Sequence, residues 1–138
     1  MNATLGEGIA VTMELKLLVW SLALTVVMAV VAVLGAVLQV GLPRLAGNRD
    51  DMPELSGWAG RASRAHRNML ESLVLFAALV LIAKTLNISN ASTVLGAQLF
   101  FFGRVAYAVI YWIGMPWLRT GAWVVSIVGL LLIFLQLM

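Results

Sequence analysis

The sequence predicts an all-α membrane protein built as a bundle of four antiparallel transmembrane helices. Of its 138 residues, 62% are hydrophobic and only 11% are charged, far too little polar surface for a soluble domain of this length. The charges are also unevenly spread: none occurs from Leu17 to Pro43, from Thr85 to Gly103, or from Thr120 to Met138. Each of these gaps suits a helix crossing a hydrocarbon core about 30 Å thick, which takes roughly 20 residues.

Residues Met1–Thr12 are small and weakly polar and are expected to be irregular. They lack the basic start of a signal peptide, and the apolar run that follows is too long for one. The first spanning helix is predicted over Met13–Val40, stopped by Gly41-Leu42-Pro43 because proline disfavours helix in the residue before it. Residues 43–58 form the one substantial hydrophilic loop, with Arg44, Asn48, Arg49, Asp50, Asp51 and Glu54. The second helix runs over about residues 58–84, polar in its first three turns and apolar beyond. Asn87-Ile88-Ser89-Asn90 is a turn with Asn or Ser available as a cap. The third helix covers about residues 91–113, interrupted only by Arg104. Gly114-Met115-Pro116 breaks it, and a fourth helix fills residues 118–138, completing one domain over residues 1–138.

The basic residues set an orientation. Arg44, Arg49, Arg61, Arg64, Arg67 and Arg119 lie on the side of the first and third connections, against Lys16 and Lys84 on the other. Both termini are therefore expected outside an inner or cell membrane, with the first and third connections cytoplasmic. Absence of cysteine excludes disulfides, thiolate metal sites and a cysteine nucleophile, and the single histidine, His66, argues against a histidine-based metal site. The small excess of base, with no soluble basic domain to carry it, argues against nucleic acid.

Charges inside a spanning helix usually face a bundle interior or a wet cavity. At about 100° per residue, Arg61, Arg64, Asn68, Glu71 and Leu75 share roughly one quarter of the second helix. In the third helix, Arg104, Tyr107 and Tyr111 form a stripe at helical spacing, at the same depth because that helix runs back. Arg119 and Thr120 open the fourth helix at that level. The convergence predicts a cationic pocket of Arg64, Arg104 and Arg119 with one carboxylate, Glu71, and amide or phenol groups around it. A matching ligand offers two anionic groups to the arginine forks and an ammonium to Glu71.

Plainer roles compete with this reading. Arg61 and Arg67 suit snorkelling to the interface, and a Glu71–Arg64 or Glu71–Arg104 ion pair could serve packing alone. His66 points away from the Arg64–Glu71 face, towards packing or capping. Trp112, Trp117 and Trp123 read as an aromatic belt, and Ala29, Ala32 and Ala36 as a close-packing face. Arg104 stands apart, deep in an otherwise uncharged span.

The stretch Arg61-Ala62-Ser63-Arg64-Ala65-His66-Arg67-Asn68-Met69-Leu70-Glu71 resembles the second-helix signature of the membrane-associated proteins in eicosanoid and glutathione metabolism, the MAPEG family, in its bacterial-type members. Gly103-Arg104-Val105-Ala106-Tyr107, followed by Tyr111, Gly114, Pro116 and Arg119, is similar to the family's signature from the third helix into the fourth. The resemblance covers essentially the whole chain. It implies a homotrimer binding glutathione in clefts between subunits, open to the cytoplasm. It places Arg64, Asn68, Glu71, Arg104, Tyr107, Tyr111 and Arg119 at positions that contact glutathione or frame its site. It implies, too, that the thiol works as a thiolate, with Arg119 the stabilising cation and Thr120 a hydroxyl donor. Two departures stand out. Gly41 occupies a position where some family enzymes carry an arginine, with Arg44 nearby but beyond Pro43. Trp123 replaces a tyrosine found in some members.

The expected function is a glutathione-dependent membrane transferase or peroxidase acting on lipophilic electrophiles or hydroperoxides. The alternative is a non-catalytic lipid-binding or scaffold protein, against which the retained Arg104, Glu71 and Arg119 argue. A proton-coupled exporter of cationic drugs is the third reading, opposed by the three arginines around Glu71.

Overall fold

The structure, a computed structural model, describes residues 10–138, so the reading of residues 1–9 lies outside it. Its helices are α1 (Met13–Val40), α2 (Leu42–Ala46), α3 (Gly57–Thr85), α4 (Ala91–Ile113) and α5 (Pro116–Leu137). No strand occurs among the described residues. The four long helices, α1, α3, α4 and α5, are each long and apolar enough to cross a membrane. With 29 residues α3 is the longest, about 43 Å at 1.5 Å per residue. That exceeds the roughly 30 Å hydrocarbon core, so part of it stands in the interface. The protein is an integral multi-pass membrane protein.

Two ends differ from the sequence reading. Helix α5 begins at Pro116 rather than Leu118, because a proline in the first turn lacks only an N–H that has no helical partner there anyway. The same tolerance lets Pro43 sit in the first turn of α2, a short helix inside the expected loop. The turn before α4 is capped by Asn90, whose Oδ1 accepts from Ser92 N at 2.9 Å and Thr93 N at 3.0 Å. Thr93 Oγ1 accepts in return from Asn90 N at 2.8 Å, closing a reciprocal capping box.

Helices α4 and α5 make the most intimate pair, then α1 and α3. A Cβ at Gly96 would lie 2.6 Å from Gly129 O, so the α4 and α5 backbones meet there without side chains between them. On the other pair, Gly35 sits against Ala59, whose Cβ lies 3.0 Å from where a Gly35 Cβ would be. The predicted alanine face is used only at Ala36, which is buried, while Ala29 and Ala32 are half-buried. Helix α4 also packs on α1 and α3, and α3 on α5. Met28, Met69, Phe76, Phe100 and Ile133 fill the centre, with the Phe76 and Phe100 rings stacked at 4.1 Å.

A second polar centre, with no counterpart in the sequence reading, lies at the other end of the bundle. Glu14, in the first turn of α1, is buried. Its carboxylate accepts from Thr93 Oγ1 at 2.5 Å and from Ser89 Oγ at 2.9 and 3.1 Å. Lys84 Nζ donates nearby to Ala10 O at 2.8 Å.

Candidate functional site

The polar turns of α3 meet the C-terminal half of α4 and the start of α5. Their phase is dictated by the small residues on the other side of α3. Ala59, Ala62, Ala65 and Met69 are buried, which turns Arg64 and Asn68 towards α4 and α5. The left-handed Gly114, at φ 85°, ends α4, and Pro116 starts α5 at once. This tight corner brings Arg119 back over the last turns of α4.

Tyr111 is the hub. Its hydroxyl accepts from Arg64 Nε at 3.0 Å, and the Arg119 guanidinium lies 4.4 Å from its ring centroid, a cation–π contact. Tyr107 meets Tyr111 edge to face at 5.5 Å. Asn68, Tyr107, Tyr111, Arg119, Thr120 and Trp123 line an open cavity of about 310 Å³, at the lower end of the roughly 300–1,000 Å³ typical of small-molecule sites.

Arg104 lies behind this wall, only 1% exposed. Its Nη1 donates to Asn68 Oδ1 at 2.6 Å, and its guanidinium lies 5.1 Å from the Tyr107 ring and 5.6 Å from Phe100. Its Nε and Nη2 are buried without hydrogen-bond partners. Burying a cation costs several kcal/mol in effective terms. Two aromatic faces and one amide offset only part of that, so the site as folded favours an approaching anion.

The structure thus gathers Asn68, Tyr107, Tyr111, Arg119 and Thr120 on one cavity, with Arg64 and Arg104 holding its walls from outside and behind. Glu71 is not in the cavity lining: it is exposed on α3, and the hydrogen bonds of Arg64 and Arg104 go to Tyr111 and Asn68 instead. Thr120 Oγ1 donates to Pro116 O at 3.2 Å, so its proton is engaged within its own helix. Gly41 has φ 85° and ψ 151°, a region reserved essentially for glycine; an arginine there would be strained. Arg44 lies exposed on α2, beside Asp50 and Asp51 in the loop hollow.

Two residues depart from their plainer roles. Arg61 does not snorkel; its Nε and Nη2 donate to Trp112 O at 3.3 and 3.2 Å, satisfying an orphan carbonyl at the end of α4. Trp123, read as part of a belt, lines the cavity, whereas Trp117 is freely exposed. Its one-turn spacing from Arg119 was the available signal. His66 is half-buried, and its Nδ1 has no partner.

Neither the comparison with curated proteins nor that with solved structures gave a match. The family model that does match is that of the MAPEG family, over residues 17–138. That range takes in α1 from Leu17 onward, the whole of α3, α4 and α5, and every residue around the cavity, and so the chain belongs to the MAPEG family.

Proposed function

We propose that this protein is a glutathione-dependent membrane transferase or peroxidase acting on lipophilic electrophiles or hydroperoxides. The observation that carries this reading is the cation-walled cavity at Arg119 and Tyr111, backed by Arg104 with two unpartnered donors. Glutathione, a thiol with two carboxylates and one ammonium, suits that donor set. It is consumed or oxidised in either reaction and is therefore a substrate.

Arg119 is the residue assigned to the sulfur. A fixed cation favours thiolate over thiol, and Tyr111 holds this guanidinium through its ring face. Thr120 can add a hydroxyl donor by exchanging its bond to Pro116 O for one to the sulfur. In conjugation, the thiolate forms a carbon–sulfur bond as the leaving group departs with its electron pair. In peroxide reduction, the sulfur attacks one peroxide oxygen and the O–O bond breaks. The alkoxide takes a proton as alcohol, and a second glutathione converts the resulting sulfenic acid into disulfide and water.

An apolar hollow further along the helices supports a lipophilic partner. Leu75, Ala78, Leu79, Ile127, Leu130, Leu131 and Phe134 line a wholly apolar hollow of about 340 Å³ between α3 and α5. Ile127 is eight residues beyond Arg119, about 12 Å along α5. The same hollow favours the second reading, a lipid-binding protein without catalysis. Glu71 supports assembly as a homotrimer: a carboxylate in mid-helix, exposed on the single chain, is costly against lipid and is relieved if a neighbouring subunit covers it and completes the cleft. The orientation with both termini outside and the cavity on the cytoplasmic side rests on the arginine distribution.

Calorimetric titration of detergent-purified protein with glutathione tests the reading. Saturable binding that is lost in Arg104→Ala and weakened in Arg119→Ala supports it, together with turnover of an activated aryl chloride. Well-folded protein that fails to bind glutathione overturns it, and binding without turnover of electrophile or hydroperoxide moves the protein to the non-catalytic reading.

A further inference from the structure

Arg61 takes no part in lining the cavity, yet it grips the corner on which the cavity depends. Arg119 owes its place to two contacts. One is the Tyr111 ring, 4.4 Å from its guanidinium. The other is the corner between α4 and α5, because the N–H of Arg119 makes the first hydrogen bond of α5, to Met115 O at 3.2 Å. Only Gly114 and Met115 separate the two helices, so a small rotation at that joint carries Arg119 with it.

The backbone closes most of this corner by itself. Gly114 N donates to Ile110 O and Tyr111 O, both at 3.1 Å, and Met115 N donates to Ile110 O at 3.2 Å, as happens where a helix ends on a left-handed glycine. Trp112 O is left over. Arg61, in the second turn of α3, supplies its donors, Nε at 3.3 Å and Nη2 at 3.2 Å, and a cation is favoured at a helix C-terminus. Gly114 makes room for it. A Cβ there would stand 3.3 Å from Arg61 Cζ and 3.4 Å from its Nε, so a side chain would crowd the guanidinium as well as strain the backbone at φ 85°. One turn further along α3, Arg64 donates its Nε to the Tyr111 hydroxyl at 3.0 Å. Two arginines three apart on α3 thus hold consecutive residues of α4, one by its side chain and the next by its carbonyl.

We propose that Arg61 is a positioning residue: through Trp112 O and Gly114 it fixes where the Arg119 cation stands, and with that the acidity of a thiol bound beside it. It touches no reacting atom, and its role rests on the assignment of a thiol to Arg119. Distance makes the placement matter. At an effective dielectric of about 20, withdrawing a cation from about 4 to about 6 Å from a sulfur leaves about tenfold less thiolate below the titration midpoint. The other ionisable groups at this end, Arg64 and Glu71 on α3 and Arg104, Tyr107 and Tyr111 on α4, stay in place when Arg61 alone is changed, and α1 carries no charge beyond Lys16.

Thiolate absorbance of the detergent-purified full chain at saturating glutathione, followed against pH, tests it. In Arg61→Gln the pH at which half of the bound thiol is ionised should rise, with about tenfold less thiolate below it, while glutathione affinity changes far less. Arg61→Lys keeps the charge but offers one ammonium in place of a two-pronged fork, and its midpoint should fall between the two. In an Arg119→Gln background Arg61→Gln should move the midpoint no further, since the two act through one cation. An unchanged midpoint in folded Arg61→Gln overturns the proposal, as does one in folded Arg61→Lys if the glutamine variant does not fold. A full shift in the Arg119→Gln background overturns it too, because Arg61 would then act by its own field. Wild-type protein whose bound glutathione ionises no more readily than free glutathione, or that binds none, overturns the assignment of Arg119 and this role with it.

Discussion

Arg104 Nη1 and Asn68 Oδ1 meet at 2.6 Å across the α3–α4 interface, and this amide is the only hydrogen-bond acceptor that the buried guanidinium has among the described residues. Replacing a buried ion pair by apolar side chains of similar volume is often neutral or stabilising, and the Arg104 guanidinium, with no ionic partner among the described residues, carries the desolvation cost without the Coulombic return. Arg104→Met is therefore expected to melt at or above the wild-type temperature while losing glutathione binding. Differential scanning calorimetry and binding calorimetry on the same preparation check both halves. A variant that melts far lower would show that Arg104 serves mainly the fold.

Tyr111 carries two separable duties. Tyr111→Phe removes the acceptor for Arg64 Nε but keeps the ring beneath Arg119. One hydrogen bond of about 1 kcal/mol corresponds to roughly fivefold weaker glutathione binding. Tyr111→Leu removes the ring as well, and the rate of conjugation should then fall beyond the loss in affinity.

Arg119→Ala should separate rate from binding. Removing one preorganised stabilising group at a reacting centre typically costs about 100- to 1,000-fold in kcat. The fall in kcat should exceed the rise in the glutathione Kd, and thiolate absorbance of the bound complex should drop in parallel. Thr120→Val, whose hydroxyl is engaged with Pro116 O, should cost far less.

At the opposite end, Glu14→Ala strips Thr93 and Ser89 of their shared acceptor. Ser89 is exposed and can turn to water, and the buried Thr93 hydroxyl keeps only Asn90 O at 3.0 Å, so the loss is about 1 kcal/mol, read as a lower melting temperature. Glutathione affinity should be unchanged, because the cavity lies at the other end of the helices.

Gly96→Ala places a methyl 2.6 Å from the backbone Gly129 O and 2.8 Å from Ile133 Cγ1. Overpacking of this kind costs about 1–3 kcal/mol. Gly121→Ala, with open space around it, is the control and should melt at or slightly above the wild-type temperature. Equal melting of the two variants would contradict the close α4–α5 approach.

The four spans were legible because their uncharged runs are long, and the cavity because Asn68, Arg104, Tyr107 and Tyr111 keep strict helical spacing. Glu71 shows the limit of that reasoning. It sits about 60° around α3 from Asn68, within the same quarter of the helix yet far enough to leave the cavity. Periodicity fixes a face only to about that width, and packing decides the rest. Arg61 was misjudged because snorkelling and capping both place an arginine near a helix end; only the neighbouring Trp112 carbonyl separates them. Glu14 was overlooked because an acid in a first helical turn is ordinary. What makes it unusual is burial by residues far along the chain.

That distance has a consequence for how the protein is made. Ser89 and Thr93 lie 75 and 79 residues beyond Glu14. At a synthesis rate of about 5–20 residues per second, the first helix waits roughly 4–16 seconds before its carboxylate can find them. Until α4 arrives, that anion must remain with the water and headgroups at the edge of the bilayer. The start of α1 is thus held at the surface during insertion and drawn beneath its neighbours only when the bundle closes. The seating of α1 is thereby tied to the arrival of α4.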